Sequence, residues 1–152
     1  TVYGLALHST EISGATLFLP DPTALPLRNL PVIARLPADA GDAVLREAVA
    51  LARRQPQGAC IQIVGALTGR DGVQALGQRI GRALSASCAN GGPLVILTER
   101  NAGKTLGNYA TDWGRTPANL IVVDEMPDRH AHFANIGRLR DGIVPVSFYG
   151  IH

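Results

Sequence analysis

The sequence predicts an α/β domain on a mainly parallel sheet, because three apolar segments alternate with two segments of helical pattern. Residues 94–97 and the apolar part of residues 119–124 are short continuous runs, which are typical of strands covered on both faces. Residues 59–67 predict a further strand, with Ile61 and Ile63 on one face. The order β-α-β-α-β over about residues 59–125 favours parallel strands joined by right-handed crossovers. We therefore expect a three-layer α/β domain with this segment at its core.

The two helices of this core differ in the contacts that they predict. Asp71 is a predicted N-cap for the first helix. Gly77 and Gly81 are four residues apart on that helix and predict a close approach to a neighbouring element. The second helix is predicted to end at Gly114. Its predicted buried stripe has the spacing i, i+3, i+4, i+7 and consists of Leu106, Tyr109, Ala110 and Trp113.

Short strands are predicted at the start of the chain. Residues 1–7 have an apolar strand pattern, residues 8–14 are polar and predict a turn, and residues 15–19 predict a second strand. The chain begins at Thr1, inside a strand pattern and without methionine. This start suggests that the sequence continues from a longer polypeptide.

A proline-rich segment then separates this start from the core. Prolines disfavour a helix over residues 20–31, which we therefore interpret as a connector. They are Pro20, Pro22, Pro26 and Pro31. A strand over residues 31–36 and an amphipathic helix over residues 39–55 are predicted to follow.

The C-terminal tail predicts two further short strands, over residues 132–136 and 143–149. Pro145 lies inside the second one. Because proline has no N–H for a sheet ladder, we expect that strand at an edge or at a bulge.

Composition narrows the classes of function. The chain has 152 residues, 46% hydrophobic residues and a net charge of +2, which fits one folded soluble domain. It lacks the clustered basic residues and abundant aromatic residues that nucleic-acid binding usually needs. No apolar stretch is long enough for a membrane helix.

Cys60 and Cys88 have no CxxC spacing and are expected as reduced thiols in a cytoplasmic protein.

Candidate ligand-binding residues lie where the parallel strands end. Ligands collect at the carboxyl ends of such strands, so these residues are expected along one edge. They are Gly65, Thr68, Glu99, Arg100, Asn101, Gly103, Lys104, Thr105, Asp124 and Glu125. Gly103-Lys104-Thr105 resembles the end of a phosphate-binding loop, but Thr98 stands where that motif needs glycine. A tight strand-to-helix turn is the alternative interpretation.

A metal site is not predicted, although several metal-ligating residue types follow the last core strand. These residues are Asp124, Glu125, Asp128, His130 and His132. None of them forms an i, i+4 pair in a predicted helix, and Pro127 favours a loop. We interpret the segment as a solvated acidic loop and predict no catalytic residue.

Six stretches, taken together, resemble the C-terminal part of the EutA family of ethanolamine utilisation proteins. Their order and approximate spacing agree over nearly the whole chain, and the second stretch is the most specific. They are Thr1-Val-x-Gly with His8 and Ser13-Gly-Ala-Thr16, Leu25-Pro-Leu-Arg-Asn-Leu-Pro-Val32, Asn101-x-Gly-Lys-x-Leu-Gly107, Leu120-Ile-Val-Val-Asp-Glu125, Asn135-Ile-Gly137, and Val144-Pro-Val146.

The resemblance implies a role for the parent protein. The family reactivates ethanolamine ammonia-lyase, a coenzyme B12 enzyme, and is similar to actin-like ATPases that use ATP and Mg²⁺. It implies that residues 1–19 are the terminal strands of an actin-like lobe, residues 20–31 a connector, and residues 32–152 a C-terminal α/β domain. Where the family tends to have Gly-x-Gly, this chain has Gly4-Leu-Ala6. The added Cβ of Ala6 disfavours a close backbone approach to nucleotide.

Three functional hypotheses remain open at this point. The first is a docking or regulatory module for ethanolamine ammonia-lyase without an ATPase site or cofactor of its own. The second is a self-contained enzyme that binds a small ligand or phosphate, with Lys104 as the anion contact and Asp124 or Glu125 as a general base. The third is an oligomerisation domain. Association with a bacterial microcompartment and formation of a homo-oligomer are also left open.

Overall fold

The structure is a computed structural model in which the backbone forms eight strands and three helices within the ranges it describes. These ranges are residues 10–14, 17–18, 27–37, 39–64, 69–86, 93–98, 103–113, 120–123, 132–138 and 144–149. The elements, in chain order, are β1 (Thr10–Gly14), β2 (Leu17–Phe18), β3 (Leu27–Pro37), α1 (Asp42–Arg53), β4 (Ala59–Val64), α2 (Gly69–Ala86), β5 (Leu94–Thr98), α3 (Gly103–Ala110), β6 (Leu120–Val123), β7 (Phe133–Ile136) and β8 (Val144–Tyr149).

All of these strands belong to one sheet with the order β1-β8-β7-β3-β4-β5-β6-β2. The four central neighbours, from β3 to β6, are parallel. The remaining pairs are antiparallel. The predicted α/β class with a mainly parallel β-α-β-α-β core is therefore confirmed.

The sheet curls so that its two ends approach each other. β1 and β2 occupy opposite ends of the strand order, yet Gly14 and Leu17 are separated by only two residues in the chain. Three peptide units span at most about 11 Å, so the outer strands must lie near each other. β1 and β2, the strands described within residues 1–19, thus join the same sheet as the other described strands. The assignment of that stretch to an actin-like lobe stays a prediction.

The curl creates two apolar cores, one on each face of the parallel strands. On β5, Leu94 and Ile96 face the helices, whereas Val95 and Leu97 face the inside of the curl. The helix-side core includes buried residues from α1, α2 and α3. The inner core is completed from β3, β7 and β8 by Leu30, Ala134, Ile136 and Val146. The three layers are therefore helices, parallel strands and antiparallel strands.

β3 is the strand at which the sheet changes from parallel to antiparallel pairing. Its register shifts between Leu27 and Leu30 against β7, and between Val32 and Ala34 against β4. Asn29, at the first shift, has a φ of 56°. Asparagine tolerates this left-handed conformation better than most residues, and such irregularities bend a strand. The Asn29 N–H donates a hydrogen bond of 2.7 Å to Asn135 Oδ1 of β7.

The strand after the proline-rich segment begins earlier than predicted, at Leu27 and not at residue 31. Pro31 lies opposite Phe133 of β7, while pairing with β4 starts at Val32. The Val32 N–H bonds to the His132 carbonyl at 2.8 Å. Pro31 therefore precedes the ladder to β4, and its missing N–H interrupts no pairing there.

Two other local predictions were wrong. Residues 10–14 form a strand, where a turn was predicted for residues 8–14. A polar sequence can form a strand when a neighbouring strand provides backbone hydrogen-bond partners, and β8 does so here. Helix α2 begins at Gly69, so Asp71 lies inside its first turn and is not the N-cap. Residues 1–9 lie outside the described ranges, and so does the strand predicted for residues 1–7.

Pro145 lies in an interior strand and not at an edge, contrary to prediction, because β8 has β1 on one side and β7 on the other. Its carbonyl accepts a hydrogen bond of 2.9 Å from the Gly137 N–H, just beyond the end of β7. In an antiparallel strand, the N–H and C=O of one residue point towards the same neighbouring strand. The N–H that Pro145 lacks would therefore point towards β7, at the position where the hydrogen-bond ladder between β7 and β8 ends. A Cβ on Gly137 would lie 2.6 Å from Pro145 Cγ, so only glycine fits there.

Cys60 is buried, as predicted. It is fully buried in the inner core and forms no disulfide. Burial raises the pKa of its thiol far above the usual value, which suppresses the reactive thiolate. Cys88 lies outside the described residues. Among the helices that the structure describes, none combines the length and apolar character needed to cross a membrane.

Candidate functional site

The carboxyl ends of the parallel strands lie level, as the predicted ligand site requires. Ile63 of β4 is in register with Thr98 of β5, and Leu97 is in register with Val123 of β6. Helix α3 then begins at Gly103, which confirms the predicted strand-to-helix order. The three strands thus end along one edge of the sheet.

The structure describes only part of the predicted site at that edge. Gly103 and Lys104 open α3, and Thr105 is half-buried in its first turn. The other predicted residues lie outside the described ranges, as does the side chain of Lys104. They are Gly65, Thr68, Glu99, Arg100, Asn101, Asp124 and Glu125. A ligand site at this edge therefore stays a prediction.

The acidic segment after β6 also lies mostly outside the described ranges. His132 is described, and it is exposed at the start of β7. Within the described ranges, no group of three or more His, Cys, Asp or Glu residues could hold a metal ion.

A second candidate site is an open groove between α2 and α3, which we call the α2–α3 groove. Its volume is about 880 Å³. It is lined by Gln78, Gly81, Arg82, Ser85, Tyr109, Ala110, Asp112 and Trp113.

The floor of the groove is formed by the close approach of the two helices. A Cβ on Gly81 would lie 2.5 Å from the Ala110 carbonyl oxygen, and one on Gly77 would lie 2.6 Å from Tyr109 Cβ. Real side chains do not come so close to other atoms, so both positions need glycine for this contact. The predicted role of Gly77 and Gly81 in a close helix contact is confirmed.

The outer wall of the groove is formed by the C-terminal end of α3. The Trp113 N–H bonds to the Asn108 carbonyl at 2.6 Å, and the Asp112 N–H reaches the Tyr109 carbonyl at 3.4 Å. These are the two bonds of a Schellman motif, in which the residue after the C-cap is left-handed and is usually glycine. Here Asp112 has that conformation, with a φ of 49°, and Trp113 follows with a φ of 56°.

This termination overturns the predicted buried stripe. Helix α3 ends at Ala110 and not at Gly114. Leu106 and Ala110 are buried as predicted, but the Trp113 side chain leaves the helical path and is 60% exposed. Its ring packs edge-on against Tyr109, with a centroid separation of 5.5 Å and an interplanar angle of 69°. Trp113 therefore presents most of its indole to solvent at the groove.

The α2 side of the groove lies beside a group of arginines. Arg79 Nε donates to Asp42 Oδ1 at 2.6 Å, and Arg79 Nη2 donates to the Ala40 carbonyl. The hydrogen bond and charge of Arg79 lower the pKa of Asp42, and the charges of Arg82 and Arg46 lower it further. Arg82 is also exposed on the groove wall. Of these three arginines, Arg82 is the one that lines the groove.

Arg53 is a buried cation outside the groove. It lies in the last turn of α1 and is 6% exposed. Its Nε and Nη1 have no hydrogen-bond partner in the described part of the chain. The C-terminal end of a helix dipole favours a cation, which offsets part of the cost of burying the guanidinium group.

The sequence contains a feature that indicates an early end of α3, although the helical spacing of Trp113 favours a longer helix. Asp112 precedes Trp113 and Gly114, and aspartate near a helix end can occupy the left-handed position that stops the helix. If this feature is given more weight than the i+7 spacing, the sequence predicts that α3 ends before Trp113.

Comparison with known proteins agrees with the resemblance seen in the motifs. Residues 1–150 match the family described as "Ethanolamine utilisation protein EutA". The chain belongs to the EutA family. The curated protein "Ethanolamine ammonia-lyase reactivase EutA" of Salmonella typhimurium (strain LT2) is 34% identical over 168 residues, covering 97% of this chain and 32% of that protein. The chain thus spans about a third of the length of this relative. No solved structure matches the chain.

Three of the EutA-like stretches meet in the antiparallel half of the sheet. Asn29, from the stretch 25–32, is bonded to Asn135, and Gly137 contacts Pro145. Leu27 is also in register with Ile136. These stretches therefore hold the bend of the sheet in place, which is a structural role.

Proposed function

We propose that this chain is a docking and regulatory module of a factor that reactivates ethanolamine ammonia-lyase, and that the module has no ATPase site of its own. The observation that carries the proposal is the similarity to the Salmonella reactivase over 97% of the chain. The family match over residues 1–150 supports a role in ethanolamine utilisation. In the parent protein, ATP and Mg²⁺ would act in the exchange of damaged coenzyme B12.

Two features support a docking role over catalysis. The phosphate-binding segments expected of actin-like ATPases have no counterpart among the 152 residues of this sequence. The groove with the exposed Trp113 offers a protein partner an aromatic contact surface. Such a module would act through its surface, by holding the lyase against the rest of the reactivating factor.

Titration calorimetry with Mg-ATP tests the absence of a nucleotide site. We expect no measurable heat of binding from the isolated chain at nucleotide concentrations up to about 1 mM, where a weak site would still be detected. A micromolar dissociation constant would contradict the proposal. Biolayer interferometry with immobilised ethanolamine ammonia-lyase tests docking, and here saturable binding is expected.

The alternative function, a small-ligand or phosphate-binding enzyme, is favoured by the level ends of β4, β5 and β6. Lys104 is the only lysine of the sequence. Reductive ¹³C-methylation therefore gives one side-chain lysine signal in an NMR spectrum. If inorganic phosphate shifts that signal, and Lys104→Ala abolishes phosphate binding without changing stability by more than about 0.5 kcal/mol, the alternative gains support. Under the docking proposal the signal stays in place.

A further inference from the structure

We propose that the α2–α3 groove is the surface that binds ethanolamine ammonia-lyase. We infer that it takes a lyase segment that places an apolar or aromatic side chain against Trp113 and a carboxylate against Arg82. This inference rests on the proposed function and adds to it the place of contact and the chemistry of the partner segment.

The first argument is the composition of the groove. Tryptophan, tyrosine and arginine are the residues that most often dominate the binding energy of protein interfaces. The groove contains one of each, in Trp113, Tyr109 and Arg82. Trp113 is 60% exposed and has the largest exposed fraction of the large apolar side chains that the structure describes. Covering its indole would remove a large apolar surface from water.

The second argument is that Trp113 is held in place before any partner arrives. The Trp113 N–H is bonded to Asn108, and its ring packs against Tyr109. Tyr109 lies over Gly77, where the two helices touch. A contact residue fixed in this way loses little conformational entropy on binding, so more of its burial energy contributes to affinity.

The third argument is charge, which selects the partner segment. Arg82 is exposed on the α2 wall of the groove, which Arg46 and Arg79 do not line. Asp112 lies on the opposite wall beside Trp113. A partner carboxylate is therefore attracted to the Arg82 side and repelled from the Trp113 side, which fixes the orientation of the segment.

The experiment measures the affinity of the chain for purified ethanolamine ammonia-lyase by biolayer interferometry. We expect Trp113→Ala to weaken binding about 30-fold, as for the central residues of interfaces. Arg82→Ala is expected to weaken it about 10-fold, and the loss should shrink at high salt. Matched controls are Leu51→Ala and Arg54→Ala, which remove an exposed leucine of α1 and the exposed arginine at its C-cap. Each control should change affinity by less than about 3-fold.

A second measurement uses the wild-type chain, so that it does not depend on the folding of a variant. Trp113 is the only tryptophan of the sequence. Labelling with 5-fluorotryptophan therefore gives one ¹⁹F resonance, which should shift or broaden when unlabelled lyase is added.

The outcomes separate the two proposals. If the chain binds the lyase but the ¹⁹F resonance is unmoved, and both groove variants bind like wild type, the groove is not the contact and only this inference fails. If the wild-type chain does not bind the lyase at all, the proposed docking function fails as well. If Leu51→Ala weakens binding as much as Trp113→Ala does, the contact lies on α1, and the inference is again overturned.

Discussion

The two faces of the parallel strands are both buried, but different kinds of segment cover them. The helix side is covered by α1, α2 and α3, which alternate with these strands along the chain. The inner side is covered by strands from the two ends of the sequence, which meet across a separation of 106 residues at the Asn29 to Asn135 hydrogen bond. A local pattern can therefore predict the first core, whereas the second depends on long-range pairing.

The comparison also shows where irregular backbone is needed. The helix side is built from regular elements whose close contact requires only small residues, at Gly77 and Gly81. The inner side needs a bend in β3 at Asn29 and a glycine at Gly137 so that the sheet can curl. Each face can be tested separately by substitutions.

Substitutions on β5 should have the largest effect, because this strand carries one leucine on each face. Leu94 faces the helices and is 0% exposed, and Leu97 faces the inner core and is 2% exposed. We expect Leu94→Ala and Leu97→Ala each to lower the free energy of unfolding by about 3 kcal/mol, since both leave a cavity in a packed core. Urea denaturation followed by circular dichroism measures both.

This pair of variants decides whether the curled half forms a true second core. Equal losses are expected when the antiparallel strands pack as tightly as the helices do. A loss of less than about 1 kcal/mol for Leu97→Ala, with a full loss for Leu94→Ala, would mean that the inner side can collapse around the change or is open to water.

Gly81→Ala should have the next largest effect, and its sign is informative. In an exposed helix this change stabilises by about 1 kcal/mol. Here the new Cβ would lie 2.5 Å from the Ala110 carbonyl oxygen, which is backbone and can move only if α3 moves. We therefore expect a loss of about 2 kcal/mol in thermal or urea unfolding.

Gly41→Ala is the matched control, because nothing lies within 4 Å of its added Cβ. It should cost at most about 1 kcal/mol as a change at a helix N-cap. If Gly81→Ala stabilised the protein instead, the contact between α2 and α3 would be looser than described.

Sequence patterns predicted the helix side well, for a physical reason. Val73, Leu76 and Ile80 repeat at helical spacing, and the runs Leu94–Leu97 of β5 and Leu120–Val123 of β6 are continuously apolar. Both patterns depend only on residues that are close in sequence, so they can be recognised without knowledge of the rest of the fold. The close contact at Gly77 and Gly81 was predicted in the same way.

The remaining features could not be predicted locally, because each depends on a distant partner. Residues 10–14 form a strand because β8 pairs with them, and Pro145 is tolerated inside the sheet because the ladder to β7 ends at Gly137. Trp113 fits the helical stripe by spacing, yet the Schellman turn takes it out of that stripe. At the strand ends, Lys104 and its neighbours remain a predicted site resting on the sequence and on the level edge of the sheet.

Asn135→Ala should have a moderate effect on the inner side. It removes the acceptor of the Asn29 N–H, at the point where β3 bends. Because this bond is exposed to water, we expect a loss of about 1 kcal/mol in unfolding free energy. Asn135→Asp keeps an acceptor oxygen and should restore most of the stability. Equal losses from the two variants would show that the bend does not depend on this hydrogen bond.

The smallest effect is expected from the ion pair between α1 and α2 on the helix side, and it should depend on pH. Arg79 lowers the pKa of Asp42 below its usual value. A carboxylate with a lowered folded pKa stabilises the protein above the unfolded pKa of about 3.9, and this contribution is lost as pH falls through the folded pKa. Asp42→Asn should therefore lower Tm at pH 6 but not at pH 2. Because the pair is solvent-exposed, the difference at pH 6 should be at most about 2 °C and should shrink in 1 M salt. An equal change in Tm at both pH values would instead assign the effect to helix capping at the start of α1.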